Sequence, residues 1–153
     1  MTHANAGDNW RSHLLERGPD IHRMLKDVHR IAVLGIKTEE KSGQPAYYVP
    51  KYAHDAGYEI IPVPVYHQEC TEIFGQPVYR EVAKIPGEVD LVNVFRRPSD
   101  IPAHVDDIIA KKPKAVWFQL GIVNNEAAEK LARAGIDVVQ DHCLMVELRK
   151  IGK

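Results

Sequence analysis

The stretch Arg30-Ile31-Ala32-Val33-Leu34-Gly35-Ile36-Lys37-Thr38-Glu39-Glu40-Lys41-Ser42-Gly43-Gln44-Pro45 constrains the fold more than any other part of the chain. A short apolar run ends on a glycine, passes into a polar loop and closes on Ser-Gly-Gln-Pro, the composition of a helix start. A strand apolar on both faces suits the centre of a parallel sheet, which is covered on both sides. Gly35 lets the backbone turn at the strand end without a Cβ clash. Ser42 or Gly43 is placed to cap the helix, and Pro45 suits its first turn, where a missing N–H has no intrahelical partner. Strand, turn and helix N-terminus in that order make an anion site, because free N–H groups and the helix dipole both favour negative charge. With Lys37 and Lys41 nearby, the stretch reads as a phosphate or diphosphate cradle.

The rest of the chain repeats the alternation of short apolar strands and amphipathic helices. Ile21, Met24, Leu25 and Val28 form a helical stripe ahead of the first strand, and Ala46, Val49, Ala53 and Ala56 form one after it. Pro50 interrupts the second stripe, so that helix either begins late or is kinked. Tyr58–Val63, Val89–Phe95, Ala115–Leu120 and Ile136–Val139 read as further strands, with a short one expected within 73–79. Helix faces follow at Ile101, Val105, Ile108 and Ile109 and at Ala127, Ala128, Leu131 and Ala132, and Asp141 starts a final short helix. This pattern predicts an α/β, Rossmann-like doubly wound and mainly parallel sheet with helices on both faces. Residues 1–18 read as a flexible lead-in and 19–153 as a single domain.

Such sheets take ligands beyond the carboxyl ends of their strands. The loops after Leu34, Val63, Phe95 and Leu120 are therefore expected to converge. Arg96 and Arg97 leave a strand at that rim, and guanidinium suits phosphate bidentately. Gln119-Leu120-Gly121 ends another strand there, with Gly121 serving turn geometry or close ligand approach. Trp117 and Phe118 are sequential on a strand and face opposite sides, as core residues. Asp106 and Asp107 are sequential on a helix and read as a solvated face.

Several function classes are excluded. A formal net charge of −1 favours neither nucleic acid nor an anionic membrane. No apolar run approaches a membrane span, and the first residues lack a signal-peptide core. Two cysteines are too few for a disulfide framework, so a cytoplasmic protein with reduced thiols is expected. The eight histidines show no metal-finger or H-E-x-x-H spacing, and His67-Gln68-Glu69-Cys70 offers at most two spaced ligands. A nicotinamide site would need G-x-G-x-x-G and an acid at the end of strand two; here the second glycine, Gly43, lies eight residues after Gly35 and strand two ends Ile-Ile-Pro-Val.

Taken in order, Ile31-Ala32-Val33-Leu34-Gly35, Gly57-Tyr58-Glu59-Ile60-Ile61-Pro62-Val63, Ile73-Phe74-Gly75, Val89-Asp90, Val94-Phe95-Arg96-Arg97-Pro98, Ala115-Val116-Trp117-Phe118-Gln119-Leu120-Gly121 and Asp141-His142-Cys143-Leu144 carry a resemblance. Over roughly residues 20 to 150 the chain resembles the small stand-alone CoA-binding proteins of Rossmann-like fold. These are related to the N-terminal domain of the succinyl-CoA synthetase alpha subunit. Pro64-Val65 departs from the Asn-Pro common after strand two. The resemblance implies coenzyme A as ligand; it does not imply a reaction, since the synthetase's phosphohistidine lies in another domain.

CoA needs a cradle for its diphosphate and strong cations. Gly35, Ile36, Lys37, Thr38, Lys41 and Ser42 are the candidate phosphate residues. Val63, Pro64 and Val65 would flank the adenosine, Arg96 and Arg97 would neutralise phosphate, and Leu120 and Gly121 would line the crevice. Gln119 is placed to bond a pantetheine amide. The expected function is a non-catalytic module binding CoA or an acyl-CoA, its protein partner unknown. The alternative is a nucleotide-dependent oxidoreductase or an acyl-CoA enzyme acting with a partner domain. Cys143 is the candidate redox thiol: with Asp141 as N-cap it falls on the positive end of the last helix, where a thiolate is favoured. The competing reading is a buried packing cysteine.

Overall fold

The computed structural model describes residues 6–153. Strands β1 (Arg30–Leu34) and β2 (Glu59–Val63) are followed by a two-strand hairpin, β3 (Glu72–Ile73) and β4 (Gln76–Pro77). Strands β5 (Leu91–Val94), β6 (Ala115–Gln119) and β7 (Asp137–His142) complete a five-stranded sheet of order β2-β1-β5-β6-β7. All of its neighbours are parallel. Helices α1 (Gly18–Leu25), α2 (Pro45–Asp55) and α5 (Leu144–Lys150) cover one face, packing on Ile31, Val33, Trp117 and Val139. Helices α3 (Pro102–Lys111) and α4 (Asn125–Arg133) cover the other, packing on Ala32, Leu34, Phe118 and Val138. Trp117 and Phe118 are fully buried on opposite faces, as the two-residue strand period requires. The chain winds outward from β1 to β2, then returns to β5 on the other side, so the carboxyl ends of β1 and β5 diverge at the switch point.

Three local expectations are corrected. The helix after β1 does not start late: it begins at Pro45, with Gln44 rather than Ser42 or Gly43 at the N-cap position, and Pro50 lies inside it. The last helix does not start at Asp141: β7 runs to His142, Asp141 has a left-handed φ of 59°, and Cys143 is itself the N-cap of α5. Asp107 is not a solvated residue, because its carboxylate accepts the N–H groups of Val82 (2.7 Å) and Ala83 (2.9 Å) and so caps the short 3-10 turn Val82–Lys84.

The expected lead-in lies partly outside the described residues. From Ala6 to His13 it forms a 3-10 helix that buries Trp10 against the α3/α4 side of the core. Leu14 then pairs with Val138 as an isolated parallel bridge, and Leu15 donates to the Val138 carbonyl at 2.9 Å. His13 Nδ1 lies 2.8 Å from Asp137 Oδ1. An apolar indole and one ladder hydrogen bond dock what composition alone marks as polar chain.

Candidate functional site

At the end of β1, Gly35 joins three strand exits. Its N–H donates to the Val63 carbonyl at 2.9 Å, and the Phe95 N–H donates to Leu34 at 2.9 Å. Gly35 has φ 88°, and a Cβ there would stand 2.3 Å from the Phe95 carbonyl oxygen. The left-handed backbone and the close crossing of residue 95 both demand glycine.

Beyond it, Lys37 donates its N–H to the Ala46 carbonyl at 3.1 Å. That carbonyl is available because residue 50, its normal helical partner, is a proline without an N–H. The proline that breaks the helical pattern thus ties the loop to α2. Lys41 donates to Thr38 (2.8 Å) and Ser42 to Glu39 (3.0 Å), around a 3-10 turn Glu39–Lys41. The backbone donors of Lys37, Lys41 and Ser42 are therefore spent within the loop. Among the described residues, the N–H groups of Ile36, Thr38 and Gly43 donate to no protein acceptor. Thr38 Oγ1 is buried without a partner, and a Cβ on Gly43 would meet nothing within 4 Å. The cradle is narrower than the sequence suggests, and its open donors flank Thr38.

A cleft of 480 Å³ opens above the switch point. Its walls are Gln44, Pro45 and Ala46 at the start of α2, residues 95–98 after β5 and residues 119–122 at the end of β6 and the turn beyond it. Arg96, Arg97, Leu120 and Gly121 thus come together as expected. Gly121 (φ 85°) sits in a turn closed by Ile122 N–H to the Gln119 carbonyl at 2.9 Å, and its own N–H donates to Asp141 Oδ1 at 2.7 Å. A Cβ there would touch nothing, so turn geometry rather than crowding requires glycine. Leu120 is carried outward on this turn, 64% exposed. Beneath the rim, Gln119 Oε1 accepts from Leu144 N–H (3.3 Å) and Asn93 Nδ2 (3.4 Å), which leaves Asn93 Oδ1 buried and unpartnered.

Val63, Pro64 and Val65 do not line this cleft. Val63 and Pro64 are buried and Val65 packs on the core. The residue this segment presents outward is Tyr66, 52% exposed. Arg80 holds the segment, its guanidinium donating to the carbonyls of Pro64 (3.5 Å), His67 (3.2 Å), Gln68 (3.1 Å) and Cys70 (2.7 Å). Tyr66 and Arg80 both escape sequence reading. An aromatic beyond a strand end was the available signal for the first; the second bonds backbone carbonyls, which leave no pattern in side-chain identities.

Arg96 links the two sides of the switch point. Its Nε donates to His104 Nε2 at 3.2 Å, and its Nη1 donates to the Tyr66 hydroxyl at 3.4 Å. Burial, then the adjacent Arg96 charge, hold the His104 imidazole below its ordinary pKa, so it accepts as the neutral form. The hydrogen bond from Arg96 and its charge likewise lower Tyr66. Arg97 is exposed and donates to Asp100 at 3.0 Å.

Residues 29–149 match the CoA binding domain family. The uncharacterized protein YneT of Bacillus subtilis (strain 168) is 34% identical over 127 residues, 83% of this chain and 90% of YneT. A solved protein of Thermus thermophilus superposes with a TM-score of 0.82 at 35% identity, covering 89% of this chain and 99% of its own. One from Pyrococcus horikoshii OT3 does so at 0.78 and 28%, covering 99% and 97%. The dinucleotide-forming acetyl-coenzyme A synthetase 1 of Ca. Korarchaeum cryptofilum, at 17% identity and a TM-score of 0.63, shares the fold over 76% of this chain and 26% of its own. By the extent of these matches, and with the cleft at the switch point of its parallel sheet, the chain belongs to the CoA-binding domain family.

Proposed function

We propose that this protein binds coenzyme A or an acyl-CoA in the cleft above β1, β5 and β6, as a binding module without a reaction of its own. The observation that carries the reading is convergence. The start of α2, the two arginines and the open turn at Gly121 line one cleft at the switch point, and the loop with the open donors leads directly into the start of α2. In this reading Gly35, Ile36, Lys37, Thr38, Lys41 and Ser42 make the phosphate loop, with Ile36 and Thr38 supplying backbone donors. Arg96 and Arg97 supply charge, Val63, Pro64 and Val65 support the adenosine side, and Leu120 and Gly121 line the pantetheine side. The cleft has room for a flexible amide chain, and Gln119 at its floor offers an amide.

The test is thermal unfolding with CoA and with NAD at equal concentration. A ligand that binds the native state alone raises the midpoint. CoA is expected to raise it well above the shift given by NAD. Alanine at Arg96 or Arg97 is expected to weaken CoA by about 1–3 kcal/mol, the scale of a charged hydrogen bond. Equal shifts with both ligands would remove the CoA assignment. Unchanged affinity in both variants would remove the arginines from the site.

A further inference from the structure

On the β2 side of the switch point, two cations gather on one exposed ring. Lys37 Nζ lies 4.5 Å from the centroid of Tyr66, and Arg96 Cζ lies 5.6 Å from it. A ring quadrupole attracts cations but brings no net negative charge. Among the described residues no carboxylate pairs with Lys37, and Arg96 reaches Asp100 only at 3.7 Å. Asp100 makes its closer contact, 3.0 Å, with Arg97. His104, the other partner of Arg96, is neutral. Lys37, Arg96 and Arg97 against Asp100 therefore leave two positive charges uncompensated beside Tyr66.

Two uncompensated charges match a phosphate monoester, which carries close to two negative charges at neutral pH. Each phosphate of a diphosphate diester carries one. Place points the same way. The cluster stands beside Pro64-Val65, across Arg96 from the cleft that residues 119–122 line, so an extended ligand lying over the rim has one end at each. The Arg80 clamp on the carbonyls of Pro64, His67, Gln68 and Cys70 fixes the backbone on both sides of Tyr66.

Resting on the CoA reading above, we propose that Lys37, Tyr66 and Arg96 form the subsite for the ribose 3′-phosphate of CoA and make the protein prefer CoA over 3′-dephospho-CoA.

Calorimetric titration of both ligands into the wild type and Lys37→Met tests this, with NADP and NAD as a second pair differing by a ribose 2′-phosphate. The wild type is expected to bind CoA about ten- to a hundredfold more tightly than dephospho-CoA, the scale of one or two charge-assisted contacts. This ratio is expected to shrink with added salt and to fall towards one in Lys37→Met. Tyr66→Leu, which removes the seat for both cations, is expected to lower it as well. A wild type that binds the two ligands equally, or a ratio unchanged in Lys37→Met, overturns the subsite while CoA binding stands. A preference for NADP over NAD larger than that for CoA over dephospho-CoA moves the subsite to a 2′-phosphate and also overturns it. Failure of the wild type to bind either CoA or dephospho-CoA removes the CoA reading itself.

Discussion

Asp90 illustrates how one side chain joins two strands that are far apart in sequence and neighbours in the sheet. It lies just before β5, 8% exposed, and its Oδ2 accepts the N–H groups of His29 and Arg30, each at 2.8 Å, at the start of β1. Lys114 Nζ is 3.4 Å from Oδ1. Burial pushes the carboxyl pKa up, but the two backbone donors and Lys114 outweigh it, and the net position is below the ordinary aspartate value. A folded-state pKa below the unfolded one means that the charged form stabilises the fold above the unfolded value. That stability is lost as pH falls through the folded value. Asp90→Asn is expected to cost about 1–3 kcal/mol near neutral pH, through weaker acceptance from two buried donors. Urea titrations should show the gap from wild type closing as pH falls below about 4. A gap independent of pH would deny the carboxylate this role.

At the scale of elements, the loop after β1 and helix α2 are one device. Pro50 removes the donor that would have claimed the Ala46 carbonyl, and the Lys37 N–H takes its place. Pro50→Ala restores a helical donor that competes for the same carbonyl. The Lys37 amide is expected to lose hydrogen-exchange protection in this variant while a newly protected amide appears at position 50. If Lys37 exchanges no faster, the loop is held by other contacts, Gly35 to Val63 among them. Helix α5 carries a related lesson. Its short length follows from β7 continuing through Asp141, whose left-handed backbone turns its carboxylate to the Gly121 N–H. The loop after β6 is thereby fastened to the strand that follows the next helix.

At the scale of the whole molecule, the question is whether the last element takes part in the site. Cys143 is half-buried at the N-cap of α5, and the next N–H, Leu144, bonds Gln119 at the floor of the cleft. Cys70 is also half-buried, its thiol donating to the Glu72 carbonyl at 3.3 Å, on the hairpin side. If Cys143 is a redox thiol, its thiolate is expected to attack one sulfur of CoA disulfide, forming a protein–CoA disulfide and releasing a CoA thiolate. Intact mass after that incubation is expected to show one CoA adduct in the wild type and in Cys70→Ser, and none in Cys143→Ser. No adduct in any of the three, or one that follows Cys70, assigns Cys143 to packing alone. No helix among the described residues is long and apolar enough to cross a membrane.

The sequence by itself determined the architecture. Strand runs apolar on both faces and helical stripes are local patterns whose period reports burial, so the parallel sheet, its two helical layers and the switch point were legible. The positions of Gly35, Arg96, Arg97 and Gly121 just beyond the carboxyl ends of β1, β5 and β6 were legible too, because an apolar run that stops marks where its strand ends. Tertiary structure alone decided which donors stay open. Lys37, Lys41 and Ser42 spend their N–H groups inside the loop, a choice made by hydrogen bonds to Ala46, Thr38 and Glu39 that residue types do not encode. It likewise decided that Trp10 and Leu15 dock and that Tyr66, not Val63, Pro64 or Val65, stands exposed beside the cations. It placed Arg80 on four carbonyls as well. The physical reason is common to all of these. A backbone carbonyl is the same group at every residue, so only the path of the chain in space says which one a donor meets.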